Sequence, residues 1–402
     1  MRTSELSERK SHNAVRHRRY SVLIVGGGPA GLATAIELSG FGICALVIER
    51  SDYDDVRVGE HLQPSAVLQL RSIESRSNLP LDTHVVSAGV EAYWGSETPN
   101  YMDYFFHPGQ HGLNLSRPRF DADLARACEL SGATVLRSAT LTRVLKRKTG
   151  WEADIAIAGK TRNCSVSVIV DATGRAATFA RSQGAKVRAH DRQIAVVAFE
   201  NDLNNGTYTR SLVETAEIGW WYSAPISPTR SICVLATDDD LLPRGAHSDL
   251  SAWWLDQLSR TAQLAHRFRD TGPSHRLVVR SARSQCVEPP CGIGWLAVGD
   301  AAMAFDPMAS QGIAKALDHG KRAAADIASH LAGDASFLER FALNLEREYA
   351  AYRATRADYY RIEKRWPRSM FWKRRHEKGT GKLSGMPRRL GKEGLVPTFA
   401  DA

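Results

Sequence analysis

Residues Ser21 to Arg50 read SVLIVGGGPAGLATAIELSGFGICALVIER, and the fold follows from them. Ser21–Val25 is a short apolar run rich in β-branched side chains, as suits a strand buried on both faces. Gly26, Gly28 and Gly31 then set out G-x-G-x-x-G. The first glycine permits a tight turn, the second lets backbone approach a pyrophosphate, and the third lets a helix pack close to the strand. Pro29 and Ala30 open that helix, which the pattern carries to Ser39, so its N–H groups and positive dipole end face the phosphates. Gly40 and Gly42 end it, Cys44–Ile48 is the next strand, and Glu49 closes that strand beside Arg50. A carboxylate there accepts from a ribose 2′-OH. The unit predicts a dinucleotide site. A secretory signal is excluded because Gly26–Gly28, Pro29 and Glu37 interrupt the apolar run.

Working outward, 402 residues suffice for a large core, expected as two interleaved lobes. No run reaches the ~18–20 apolar residues that span a bilayer. The six cysteines (Cys44, Cys128, Cys164, Cys233, Cys286 and Cys291) are scattered without C-x-x-C, which suits reduced thiols, a cytoplasmic address and no metal. The net charge of +9 divides into +4 over residues 1–20, +10 over residues 361–392 and −5 over the rest. The basic ends read as solvated tails, the C-terminal one as a dock for an acidic protein partner; nucleic acid is not expected.

Further along, Ser65–Arg71 has helical character and residues 82–116 are strand-rich. A helix is expected over Asp121–Ser131, strands over Thr134–Leu136, Ala139–Lys146 and Glu152–Ala158, a turn over Gly159–Arg162, and a strand over Ser165–Val170. Residues 190–240 alternate as antiparallel strands, and a single helix over Ala252–Phe268 is expected to cover them. Gly294–Val298 is a last buried strand. Long helices follow from Ser310 to about Leu331 and over Phe337–Lys364, and beyond Pro367 little regular structure is expected.

Four more blocks follow the first in order: Gly59-Glu60 with Pro64; Arg117-x-x-Phe120-Asp121; Asp171-Ala-Thr-Gly174-Arg175; and Gly299-Asp300-Ala-Ala302 with Asp306-Pro307-x-x-Ser310-x-Gly312. Over residues 20–330 they resemble the FAD-dependent monooxygenase superfamily of aromatic hydroxylases, geranylgeranyl reductases and tryptophan halogenases. The resemblance implies an α/β fold, with a Rossmann-like FAD-binding lobe (21–81, 117–189 and 285–332) interleaved with an antiparallel-sheet substrate lobe (82–116 and 190–284). A helical, basic C-terminal region (333–402) follows, and residues 1–20 form a basic leader without fixed structure. It also implies FAD contacts from Gly26, Gly28, Pro29, Ala30, Gly31, Glu49, Arg50, Arg117, Asp300 and Pro307. The helix N-terminus at Gly312 and Ile313 would hold the flavin N1–C2=O edge.

The branch is read from departures. NADPH-using aromatic hydroxylases carry Asp-Gly where this chain has Asp171-Ala172, and no second G-x-G-x-x-G offers a nicotinamide site. The reductant is therefore NAD(P)H or a separate reductase, bound transiently. Halogenases need a relay lysine some thirty residues after the Gly-Glu block, and this chain has none between Lys10 and Lys146. Their W-x-W-x-I-P stands here as Trp220-Trp-Tyr222-Ser-Ala224-Pro225. The chain looks more like the flavoproteins that mature tryptophylquinone enzymes. Their pattern resembles Gly219-Trp-Trp-Tyr222 with Pro225, Phe305-Asp-Pro307-x-x-Ser310-Gln-Gly312, and Tyr359-Tyr360-x-x-Glu363-x-Arg365-Trp-Pro367 with Phe371-Trp372.

That resemblance implies hydroxylation of a tryptophan in a partner polypeptide by O2 and reduced FAD, through a C4a-hydroperoxide. Hydroxylation of a small aromatic or indolic metabolite, halogenation, alkene reduction, and a non-catalytic escort role are the alternatives. His61, Trp220, Tyr222, Pro307 and Gln311 are the catalytic candidates, with His61 the possible base. Strand alternation sets Trp220 and Tyr222 on one face and Trp221 on the other.

Overall fold

Val22–Val25 lies inside a six-stranded sheet, flanked in parallel by Ala45–Ile48 and Val168–Asp171. Thr134–Leu136 and Trp295–Ala297 extend the two sides in parallel, and Cys291–Gly292 adds an antiparallel edge. The three central strands are buried throughout, which explains their unbroken apolar composition. The computed structural model describes residues 19–77, 79–201, 208–243, 249–268 and 277–378; the expectations for residues 1–18 and for the chain beyond 378 lie outside them.

The helix Pro29–Gly40 crosses the helix Gly312–Leu331 at Gly320, where a Cβ would stand 2.7 Å from the Ala33 Cβ. The strands Ala139–Arg147, Gly150–Ile157 and Lys160–Val166 form a separate antiparallel sheet. Trp151 ties that sheet to the first by donating to the Gly294 carbonyl at 2.8 Å. Residues 160–162, expected as a turn, begin the third of these strands. The expected strand Ser165–Val170 is split at Ser167, where the N–H groups of Ser167 and Val168 both donate to the Ser21 carbonyl.

The second large sheet has seven strands, in spatial order Val278–Ser281, Gln193–Asn201, Arg230–Asp238, Gly219–Ser227, Arg210–Ala216, Gly89–Tyr93 and Asn100–Asp103. All its pairings are antiparallel except Arg210–Ala216 with Gly89–Tyr93. Residues 82–116 divide between two sheets, because Gly112–Asn114 pairs with Val85–Ser87 on one side and with His61–Leu62 on the other in a small sheet of their own. The helical cover is two helices, not one: Leu250–Ser259 and Gln263–Arg267. Buried Glu214 makes the break, its carboxylate accepting from the N–H groups of Ala262, Gln263 and Leu264 and so capping a new helix start.

The largest departure lies after Pro367. Met370–Lys378 is a helix, with Phe371 and Trp372 fully buried and Arg375 5% exposed. It closes an aromatic cluster with Trp94, Trp220 and Tyr360 on one face of the seven-stranded sheet. Arg374 and Arg375 are neutralised by Asp238 and Asp240. A run that counts as basic in sequence is thus an internal clamp. The long helix Phe337–Ile362 joins the two sheets, packing Phe341, Leu345 and Tyr352 on the first core and Tyr360 on the aromatic cluster. No described helix is long and apolar enough to cross a membrane.

Candidate functional site

The glycine turn divides its work by position. Gly26 has φ +110° and lies so close to the strand Val168–Asp171 that a Cβ would stand 2.2 Å from the Ala172 carbonyl oxygen. At Gly31 a Cβ would stand 2.1 Å from the Gly26 oxygen, so helix and turn are in contact. At Gly28 a Cβ would meet nothing within 4 Å. The side of the turn above the helix start is therefore open, and no side chain caps the helix there, with Pro29 at its first turn. By contrast, Asp249 caps the helix Leu250–Ser259. An uncapped, open helix N-terminus is a place for an anion.

Glu49 is buried against this turn. Its carboxylate accepts from Gly27 N–H at 2.8 Å, from the Ser51 hydroxyl at 2.7 Å and from Arg57 at 3.2 Å. Arg57 also bonds Asp121 at 2.8 Å, and the Tyr53 hydroxyl donates to the Gly27 carbonyl. Sequence reasoning placed Glu49 but missed Tyr53 and Arg57, which no motif marks. Arg50 is exposed beyond the strand. Arg117 directs its guanidinium inward, to Asp121 through Nε and Nη2 and to the Val58 and Gly59 carbonyls through Nη1. It braces the Gly59 loop.

Gly299 packs on Ala30 and presents Asp300, whose carboxylate is held by Lys315 at 2.9 Å and by Arg175 at 3.5 Å. Burial works to raise the Asp300 pKa, but Lys315 and Arg175 outweigh it and hold it below the usual range. Lys315 also donates to the Met303 carbonyl and lies over the Phe305 ring. Sequence reasoning missed this lysine; the signal was one cation among Ile313, Ala316 and Leu317 on the buried face of its helix.

Pro307 is exposed in the turn Pro307–Ala309, and Ser310, at φ +49°, delays the long helix to Gly312. Gln311 stands at the N-cap without capping, and a Cβ on Gly312 would meet nothing within 4 Å. This is a second open helix N-terminus, ending at Gly312 and Ile313. The Gln63 amide donates to the Ala309 carbonyl at 3.3 Å, so the Gly59–Pro64 segment faces the turn. Asp306, behind it, accepts from Gln193, Arg356, Tyr360 and Met308 N–H. The Tyr359–Trp372 block thus reaches the turn, because Tyr360 bonds Asp306 while Trp372 donates to the Ala216 carbonyl.

Register in the small sheet sets His61 opposite Asn114. Its Nδ1 lies 2.8 Å from Asn114 Oδ1 and its Nε2 2.9 Å from the Tyr104 hydroxyl, with the Ser211 hydroxyl 3.2 Å from Nδ1. Burial lowers its pKa against the Asn114 bond, so the ring stays neutral with both nitrogens engaged. His61 is thus part of a polar wall in which both ring nitrogens are engaged. Trp220, 2% exposed and bonded to Tyr360, is enclosed by Trp94, Tyr360 and Trp372. Trp221 points to the opposite face against Trp254, as alternation requires. Tyr222 shares the face of Trp220, packs, like Met308, against the same cluster, and has a buried hydroxyl beside Ser211.

Two open helix N-termini, an acidic strand end and a braced second loop fit one extended cofactor. Residues 19–356 match the FAD binding domain family, and the chain belongs to it. It is an FAD-dependent oxidoreductase. Gly26–Gly31 and Glu49 would hold the adenosine diphosphate half of FAD, and Asp300, Gly312 and Ile313 its flavin half. The chain is 28% identical over 370 residues to LodB of Marinomonas mediterranea, described as an FAD-dependent oxidoreductase; the match covers 89% of this chain and 97% of LodB. Among solved structures, the myxobacterial chondrochloren halogenase CndH superposes with a TM-score of 0.81 at 21% identity, covering 89% of this chain and 86% of that one. The peptidyl tryptophan dihydroxylase QhpG, essential for tryptophylquinone cofactor biogenesis, superposes with a TM-score of 0.74 at 21% identity, covering 89% and 79%. These superpositions speak for the fold.

Proposed function

We propose that this protein is an FAD-dependent monooxygenase that hydroxylates a tryptophan side chain of a partner polypeptide, as in tryptophylquinone maturation. The observation that carries the choice of oxygen transfer over halogenation is the missing lysine. Residues 11–145 contain none, and Lys315, the buried lysine near the cofactor residues, is committed to Asp300 and Met303. Without an ammonium to take up hypohalous acid, the halogenase route has no carrier. The Tyr359–Trp372 block and the likeness to QhpG favour a peptidyl tryptophan as the acceptor.

Bound FAD, reduced by NAD(P)H or by a separate reductase, supplies the electrons that activate O2. The chain's contribution is position and exclusion of water. The Gly312–Ile313 N–H groups, at an uncapped helix start, would favour the anionic edge of a reduced flavin. The His61–Asn114–Tyr104 wall is held by the hydrogen bonds of both His61 ring nitrogens. Asp306, gripped by Arg356 and Tyr360 of the helix Phe337–Ile362, fixes the turn beneath.

A polypeptide substrate needs a surface to land on. Next to Tyr104, whose hydroxyl meets His61, Phe105 and Phe106 are 73% and 88% exposed and stack edge to face. Tyr101 is exposed on the adjoining edge strand. Replacing Phe105 and Phe106 together by Ser is expected to leave FAD content unchanged and to lower kcat/KM for a polypeptide acceptor by about tenfold, the scale of a lost aromatic anchor. Equal kcat/KM in the variant and the parent would remove this surface from the account.

A further inference from the structure

Glu60 is 3% exposed, and its Oε1 has no hydrogen-bond partner. A buried carboxylate normally fills its acceptor sites, so an orphaned oxygen marks a group that is protonated part of the time or completed by something that binds. Arg117 is the cation beside it, but that guanidinium is already spent on Asp121 and on the Val58 and Gly59 carbonyls. Burial pushes the Glu60 pKa up to about 7, against the pull of Arg117 and of the Gly59 and Glu60 N–H groups. The titratable neighbours add no second cation. His61 is held neutral by burial, and burial raises the Tyr104 and Tyr222 phenols far above neutrality.

Position gives this carboxyl a task. Its segment faces the Pro307–Gly312 turn through Gln63, and the buried Tyr222 hydroxyl feels the Glu60 charge and neighbours Ser211, whose own hydroxyl lies 3.2 Å from His61 Nδ1. One unpartnered carboxylate oxygen, from the cofactor sheet's loop, and one phenol, from the substrate sheet, are therefore within electrostatic reach of each other. We propose that Glu60 is the proton-exchanging group of this site and that Tyr222 relays protons between it and the acceptor.

The inference rests on the hydroxylase reading. In the balanced reaction, acceptor C–H, O2 and two-electron-reduced FAD give acceptor C–OH, H2O and oxidised FAD. O2 takes four electrons, two from FAD and two from the acceptor carbon. As the C–O bond forms, the carbon releases its proton, and the oxygen atom that is not inserted needs a proton to leave as water. Glu60 as carboxylate accepts the first and returns it for the second. A carboxyl poised near neutrality does both without waiting for solvent.

Glu60→Gln keeps size and shape but cannot titrate. In FAD-loaded wild-type protein, infrared spectra between pH 5 and 9 should show a protonated-carboxyl C=O band with a midpoint near 7 that is absent from E60Q. With a polypeptide acceptor, E60Q should still oxidise reduced FAD, yet release hydrogen peroxide in place of hydroxylated product, with coupling at least tenfold lower (the low end for a lost acid–base group) and flat with pH. Tyr222→Phe should keep the infrared band and lose the coupling, which also covers the case that E60Q fails to load FAD. Absence of a titrating carboxyl that E60Q removes, or wild-type coupling in E60Q or in Y222F, overturns the proposal. Should wild-type protein hydroxylate no polypeptide, the function reading falls, and the infrared titration still judges Glu60 by itself.

Discussion

Gly28→Val is expected to purify folded and colourless. Gly28 adopts φ −80° and ψ −179°, an extended conformation open to any residue, and a Cβ there meets nothing within 4 Å. The chain itself therefore tolerates the branch. What the branch fills is the space over the uncapped helix start, where the pyrophosphate would take its N–H bonds. Losing two bonds to a charged group, at about 1.5–3 kcal/mol each, weakens FAD by roughly 10²–10⁴-fold. The ratio of flavin to protein absorbance reads the loss, and an unchanged thermal transition of the apoprotein shows that the fold is intact. Gly31→Val is the contrast. Its Cβ would stand 2.1 Å from the Gly26 oxygen, so that variant is expected to lose the fold together with the cofactor. A yellow Gly28→Val protein would refute the placement of FAD.

Ending the chain at Pro367 is expected to unfold the aromatic clamp, whereas ending it at Lys378 leaves the clamp in place. The shorter chain lacks Phe371 and Trp372, both fully buried, and leaves the buried Asp238 without Arg374 and Arg375. Trp372→Ala alone should cost about 3–5 kcal/mol, and stripping a buried carboxylate of its cations about as much again. Against a total stability of about 5–15 kcal/mol, the truncated chain has little left. Trp372→Ala should lower Tm by about 10 °C, and it should also loosen FAD, because Tyr360 joins this cluster to Asp306. Equal Tm values for the two truncations would show that Met370–Lys378 carries no load.

The two predictions differ in how legible their basis was in the sequence. The glycine turn is read directly, because each glycine answers a contact within a few residues of itself or with the next parallel strand. The faces of the Gly219–Ser227 strand were also legible, since a period of two assigns Trp220 and Tyr222 against Trp221 whatever surrounds them. What fills each face was not. Trp220 is enclosed by Trp94 and by Tyr360 and Trp372, residues more than a hundred positions away in either direction. The basic run Lys373-Arg374-Arg375 looked solvated because a charge count ignores partners, and Asp238 and Asp240 lie 134–137 positions upstream. Glu60 was legible only as half of a Gly-Glu pair. Its orphaned oxygen is a property of burial, which no local pattern encodes. Arg117 and Glu214 make the same point: each holds distant backbone, one bracing the Gly59 loop with the nitrogen that Asp121 leaves over and the other starting a helix.

The measurement that tests the hydroxylase reading most directly is intact-mass and fragment analysis after one turnover. Reduced, FAD-loaded protein is mixed with ¹⁸O2, bromide and an unmodified precursor polypeptide of a tryptophylquinone enzyme, with free tryptophan and indole in parallel. The account predicts one or two ¹⁸O atoms on a tryptophan of the polypeptide, no bromine, and free indoles unchanged. Bromine on any acceptor, or ¹⁸O on free indole while the polypeptide returns unaltered, would contradict it.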